Sequence, residues 1–145
     1  MDKVGLNSPS VQSYLTILQS VISRMAANSA ACKTWCITLV SVVIVIIADK
    51  GKPNYIWISI VPVAPFLVLD SYYLSLECQF RSIYNDFIRK LHADTATVED
   101  VFYVNPKSGI CATSLPILKA MVSMSIWPFY GLLALMLLIV RFCVL

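Results

Sequence analysis

Three stretches of this chain are long, apolar and free of charge: Trp35 to Ala48, Asn54 to Leu69, and the interval between Lys119 and Arg141. Core helices of a soluble protein rarely need uninterrupted apolar runs longer than about 10 to 14 residues, whereas a crossing of roughly 30 Å of hydrocarbon needs about 20. Inside lipid no water serves the backbone, so a spanning segment of this length satisfies its own amides by forming a helix. The β-branched run from Val42 to Ile47 favours strand in water, and lipid overrides that preference. Composition agrees. The chain is 59% hydrophobic and 13% charged, against roughly 25% charged in an ordinary soluble domain. The expected fold is an all-α membrane protein, a single membrane domain over residues 1–145.

The first element is signalled by Ser8 and Pro9, since serine caps free amides and proline suits the first helical position. Val11, Leu15, Leu18, Ile22 and Met25 then recur in steps of four and three, which predicts an amphipathic helix over 9–30. Its narrow stripe suits packing on the protein's own helices, a seam between subunits, or adsorption to a membrane surface. Ala26, Ala27, Ser29, Ala30 and Ala31 are small enough for a close helix crossing. Span one covers 31–48, with Lys33 expected to snorkel to the interface.

Asp49 to Asn54 reads as a tight polar turn, which makes spans one and two an antiparallel hairpin. Span two covers 55–73. Tyr55 and Trp57 mark one end and Tyr72 and Tyr73 the other, about 27 Å apart along a helix. Pro62 and Pro65 each remove an amide donor and predict a bend or local unwinding. The same helix is expected to continue over 74–92 outside the membrane. There Glu77 with Arg81, and Asp86 with Lys90, are spaced to pair one turn apart.

The pattern breaks over the connector 93–118, where Thr97 and Asp100 are spaced as a capping box. Span three is placed at 120–140. Pro128, Trp127 and Tyr130 allow a later start near Trp127, with 112–125 at the interface.

Basic residues concentrate in one flank, Arg81, Arg89, Lys90, Lys107 and Lys119, against Lys50 and Lys52 in the hairpin turn. The positive-inside rule then puts the N-terminus and 77–119 in the cytoplasm and the C-terminus outside. The polar start of the chain, Ser-rich after Met1, Asp2 and Lys3, lacks the pattern of a cleaved signal peptide.

Chemistry is sparse. His92 is the only histidine and the five cysteines form no CxxC, so no metal site, cofactor or disulfide framework is expected. Nothing resembles a phosphate loop or a nucleophile with its base, and an enzyme is not expected. The basic residues form no aromatic-interleaved face, so direct nucleic-acid binding is not expected either. Arg141 reads as an interfacial anchor. Asp70 is the most informative ionisable group. It follows directly on the uncharged run and reads either as a carboxylate reaching headgroup water or as an acid facing a bundle interior. Asp70, Pro62 and Pro65 are therefore the pore or gating candidates. Glu77, Arg81, Tyr84, Asp86 and Lys90 are the partner-docking candidates.

The stretch LDSYYLSLECQFRSIYND, with Leu69, Asp70, Ser71, Tyr72, Tyr73, Leu74, Glu77, Phe80, Arg81, Tyr84 and Asn85, resembles small bacterial membrane proteins of the SLATT-like group. These share an N-terminal helix, a membrane hairpin, and a second span that runs on as a charged cytoplasmic helix. The third span departs from that form. The resemblance implies a pore-like effector of antiviral defence in the bacterial inner membrane, with a cytoplasmic defence protein as partner. The charge asymmetry puts the C-terminus of this multi-pass chain in the periplasm, its spans contact membrane lipids, and homo-oligomers are expected because three short helices enclose no pore without copies of themselves. A non-conducting adaptor or sensor that docks such a partner is the alternative.

Overall fold

The structure, a computed structural model, describes residues 8–50, 53–104 and 121–144. Among them every regular element is helical and there is no strand. Helix α1 runs from Pro9 to Lys50 over 42 residues and α2 from Ile60 to His92 over 33, about 63 and 50 Å at 1.5 Å per residue. Both are long and apolar enough to cross a membrane. Helix α3 spans Trp127–Ile139 and ends in a π turn over Val140–Val144.

The predicted helix 9–30 and span one are thus one continuous helix. Nothing between Ser23 and Lys33 breaks it, because the alanines there are strong helix formers. At its start the Ser8 carbonyl accepts from Gln12 N–H at 3.2 Å, while the Ser8 hydroxyl bonds the Ser10 hydroxyl at 2.6 Å instead of an amide.

Span two begins differently from a plain α-helix. Pro53–Ser59 form a 3-10 segment, and α2 follows from Ile60. Pro62 falls in the first turn of α2, where an amide would lack a helical partner anyway. Pro65 lies inside the helix and leaves the Val61 carbonyl without its usual donor. The tightened geometry is therefore displaced to the N-terminal side of both prolines.

Helices α1 and α2 pair antiparallel along their length. The distal end, far from the turn, is held by Val11, Tyr14 and Leu18 of α1 against Phe87 and Leu91 of α2 and Ala96 beyond it. Within the N-terminal stripe it is Val11 and Leu18 that bury, joined by Tyr14, while Ile22 and Met25 stay half-exposed. Packing on the protein's own helices accounts for this part of the stripe. Tyr14 meets Phe87 edge-on at 4.9 Å between ring centroids, and its hydroxyl donates to the Tyr103 carbonyl at 3.0 Å.

The first part of the connector is ordered on this distal core. Val98–Asp100 form a 3-10 turn, and both the Thr97 amide and hydroxyl donate to Asp100 Oδ2 at 3.0 Å. The expected Asp86–Lys90 pair is not formed. Lys90 instead reaches Asp100 Oδ1 at 2.6 Å, and Asp86 pairs with Arg89 at 2.7 Å. Asp100 is already fixed by Thr97, so it offers the long lysine a pre-set acceptor that exposed Asp86 does not.

The third helix is shorter than the expected 120–140. Residues 122–126 are turns and bends, with Ile126 and Trp127 amides both donating to the Ser123 carbonyl at 3.1 Å, and Pro128 sits in the first turn, where proline is favoured. Gly51 and Lys52 of the hairpin turn, and 105–120 with Lys107, Cys111, Pro116 and Lys119, lie outside the described residues.

Helix α3 runs parallel to α1. Leu137, Leu138 and Arg141 share a groove with Ile56, Trp57 and Ile60 near the turn end, while Tyr130 packs with Cys36 and feels the charge of Asp70. The resulting proximal core contains Cys36, Val40, Ile56, Tyr130, Leu133 and Leu137.

Candidate functional site

Between the two apolar cores lies a polar layer made of Ser29, Asp70, Ser71 and Ser75, all buried. Asp70 is its centre, with 0% of its surface exposed. Helix periodicity places Ser29 and Lys33 one turn apart on the same face of α1, so both reach the one carboxylate on α2. Lys33 Nζ lies 2.7 Å from Asp70 Oδ1 and 2.7 Å from Oδ2. The Ser29 hydroxyl donates to Asp70 Oδ1 and accepts from Lys33 Nζ at 3.1 Å. The neighbouring Ser71 hydroxyl is turned back on the Leu67 carbonyl at 2.7 Å.

Lys33 therefore does not simply snorkel. Its side chain is 22% exposed, so the ammonium touches the outside while its hydrogen bonds point inward. An unpaired carboxylate in an apolar interior is so unfavourable that it neutralises, and the lysine and the serine together offset that cost. The layer carries no net charge. Tyr130 of α3 closes it from the third side, with its buried hydroxyl close to Asp70.

Pro62 and Pro65 lie eight and five residues before Asp70 on α2, about 12 and 8 Å away along the axis, and do not join this layer. Glu77 is buried and holds Arg81 at 2.6 Å, as its spacing implied. Tyr84 packs half-buried against the distal core. Arg81, Asp86 and Lys90 remain exposed. Among the described residues no group of three metal-ligating side chains occurs.

No known family, curated protein or solved structure matches the chain. What the site can do rests on its own geometry.

Two further features bear on that. The first is exposure. In the most apolar eighteen-residue windows of the α1 and Tyr55–His92 helices only 22% of residues are buried, and Val45, Val61 and Leu132 are each about two-thirds exposed. Exposed Trp35, Tyr72 and Trp127 lie toward the ion-pair end of this collar, and exposed Tyr55, Trp57 and Phe142 toward the other. The second is the distal end. Asp100 has its carboxyl lowered to about 2 by the Lys90 hydrogen bond and the Thr97 amide, and Tyr14 is raised by burial and then by the Asp100 charge. Next to them Phe102 is exposed and holds φ at 65°, a left-handed conformation unusual for a bulky residue.

The Lys33–Asp70 pairing was missed in the sequence, yet a signal for it existed. Lys33 precedes Gly51 by 18 residues and Asp70 follows Lys52 by 18, so a hairpin folded symmetrically about the turn sets them opposite each other.

Proposed function

We propose that this chain is a multi-pass protein of the bacterial inner membrane that acts as an oligomeric, pore- or channel-like effector of antiviral defence, gated from the cytoplasm. The observation that carries the membrane part is the exposed apolar collar between two levels of aromatic side chains. A soluble core helix is mostly buried, and a soluble monomer rarely exposes apolar patches beyond about 300 to 600 Å². Tyr55 and Tyr72 stand about 25 Å apart, close to a hydrocarbon thickness of roughly 30 Å. The Lys33–Asp70 pair then falls at one edge of the bilayer, and the distal core projects into the cytoplasm with Arg81, Arg89 and Lys90.

A single copy offers no open path, since the layer around Asp70 is closed by Lys33, Ser29 and Tyr130. Conduction thus requires several copies and a change at this layer. Helix α2 is continuous from Asp70 to His92, so a displacement of the cytoplasmic end is transmitted to the carboxylate. Release of Lys33 leaves a charged Asp70 that needs water or another cation, which suits a cation path lined by successive subunits. The likeness of the stretch from Leu69 to Asp86 to SLATT-like effectors supports the defence role.

The test is reconstitution of the full chain into potassium-loaded liposomes. The expected result is potassium release that Asp70→Asn reduces, from particles that mass photometry sizes as oligomers. Particles that remain monomeric, or release unaltered by Asp70→Asn, overturn the reading. A non-conducting adaptor is the second reading. It is favoured by the exposed Phe102, Tyr103 and Val104 beside Phe87, 17 residues and about 25 Å along α2 from Asp70, well placed for a soluble partner. Co-purification of such a partner with the membrane potential intact supports it.

A further inference from the structure

Residues 93–104 leave the end of α2 and lie across the distal ends of both long helices. They are tied to α2 by Thr95, whose amide and hydroxyl donate to the Lys90 carbonyl at 3.0 and 3.2 Å, and by Asp100, which accepts from Lys90 Nζ at 2.6 Å. They are tied to α1 by the Tyr103 carbonyl, which accepts from the Tyr14 hydroxyl at 3.0 Å, and by Phe102, whose ring lies 5.7 Å from that of Tyr14. Ala96 is buried in one cluster with Val11 and Leu18 of α1 and Phe87 and Leu91 of α2. We infer that this segment is a strap that clamps the distal ends of α1 and α2 together and so keeps the Asp70 layer shut. It rests on the cytoplasmic gating proposed above and supplies the part that must let go.

An open layer and a closed strap exclude each other. Helix α2 has its weakest point at Pro65, inside the helix, where a carbonyl lacks its donor and a bend is easiest. Asp70 lies 5 residues beyond Pro65 and Phe87 lies 22, about 8 and 33 Å along the axis. A rod bending at Pro65 thus moves about four times as far at Phe87 as at Asp70. The short Ser29 side chain, which donates to Asp70, cannot follow the carboxylate, and about 1 Å of opening takes that hydrogen bond to the limit of its range. The same motion is about 4 Å at the level of Phe87, where the strap spans from one helix to the other. The strap must therefore release one helix before the layer opens.

The backbone of the strap points the same way. Asp94 at φ 56° and Phe102 at φ 65° bracket it, both in the left-handed region that residues other than glycine enter at a cost. Aspartate tolerates that region. Phenylalanine does not, and such conformations persist only where the surroundings hold them, often in switch segments. The ring of Phe102 is met by Tyr14, so parting that contact relieves the backbone and favours release. A passive cap on two helix ends needs no strained residue where it touches α1.

Natural thiols report the motion in the full chain, purified in dodecylmaltoside and treated with methyl methanethiosulfonate. Cys32 adjoins Lys33, level with Asp70, whereas Cys36 packs in the proximal core with Leu67, two residues from Pro65. Both are buried, and trypsin separates them at Lys33. Tyr14→Phe removes a tie to α1 and Asp100→Asn a tie to α2, and neither empties a core position. Each is expected to speed modification of Cys32 about fivefold, the shift that loss of one hydrogen bond gives, and to leave Cys36 at the wild-type rate. An unaltered Cys32 rate in the two variants overturns the strap. Equal acceleration of Cys32 and Cys36 overturns it too, since that is a general loosening of the fold and not a bend at Pro65. In potassium-loaded liposomes the same variants are expected to release potassium faster than wild type. Faster Cys32 modification with no potassium release in any variant supports the clamp and refutes conduction instead.

Discussion

The Lys33–Asp70 pair is asymmetric, and removing its two halves should therefore have unequal costs. Asp70 is wholly buried, whereas Lys33 is 22% exposed on a flexible four-carbon stem. When Asp70→Asn deletes the acid, the ammonium can turn outward and recover solvation, so the loss is about that of an ordinary interhelical hydrogen bond in a membrane, roughly 1 kcal/mol. When Lys33→Met deletes the base, the carboxylate has no outward route and only neutral hydroxyls, chiefly that of Ser29, to donate to it. Leaving a buried charge unpaired costs about 3 kcal/mol or more. The double variant Lys33→Met/Asp70→Asn removes both charges and nearly keeps the volume, and should return to within about 1 kcal/mol of wild type. Taken together these values give a coupling of at least about 3 kcal/mol, measured as a double-mutant cycle. Dodecyl sulfate titration of the protein in mixed micelles, followed by helical circular dichroism, supplies the four stabilities. Single variants that lose the same small amount and add in the double would refute the reasoning, because that outcome requires Asp70 to reach water without Lys33.

Other consequences are separately measurable. Tyr130→Phe removes a buried hydroxyl beside Asp70, so it should change stability by no more than about 1 kcal/mol in the same titration; a larger loss would mean that the hydroxyl carries a full hydrogen bond to the carboxylate. Phe87→Ala should destabilise the distal core by about 3 to 5 kcal/mol and expose the 93–104 segment to protease while the proximal helices keep their helical signal. Asp100 has a folded value lowered to about 2 from an unfolded one near 3.9. Its contribution is present above the unfolded value and is lost as pH falls through the folded one, so amide exchange at 97–101 should rise between about pH 4 and 2 and lose that step in Asp100→Asn. Phe102→Asn relieves a left-handed backbone that asparagine adopts more readily but removes the edge-on contact with Tyr14 at 5.7 Å, so stability should stay within about 1 kcal/mol of wild type, and weaker capture of a soluble partner would follow only if the exposed aromatic docks it.

Much of the helical layout could be read from the residues because lipid-length apolar runs leave the backbone one local choice. The continuation of α2 past Tyr73 and the link between Thr97 and Asp100 follow from short-range patterns, whereas Asp49 and Lys50, expected in the turn, close α1, and Pro53 and Asn54 open the 3-10 segment. What could not be read that way is contact across the hairpin. Lys33 looked like a snorkelling residue because nothing within one helical turn opposes it; its partner is 37 positions away. Tyr14 stands outside the three-and-four stripe, and it buries because Phe87 and the Tyr103 carbonyl are brought to it from elsewhere in the chain. Lys90 was paired with Asp86 by spacing alone, and the structure pairs it with Asp100 because a turn ten residues on delivers a better-held carboxylate. Each miss involves a polar group whose partner is supplied by tertiary structure.

The hairpin nevertheless provides a rule that would have found the central one. If α1 and α2 fold symmetrically about Gly51 and Lys52, opposed residues have numbers that sum to about 103; Lys33 with Asp70, Tyr14 with Phe87 and Val11 with Leu91 give 103, 101 and 102. A constant sum means that the two helices hold one register from the turn to the distal core. A residue inserted into α1 between Lys33 and Lys50 therefore cannot be absorbed locally: it rotates Lys33 by about 100° and shifts it by about 1.5 Å relative to Asp70, which turns the ammonium off the carboxylate's face. An insertion between Pro9 and Val11 leaves the pair untouched. The first should cost more than Lys33→Met, because Val11, Tyr14 and Leu18 turn off Phe87 and Leu91 together with Lys33, and the second little more than a terminal change; equal effects from both would mean that the register is not what aligns the pair.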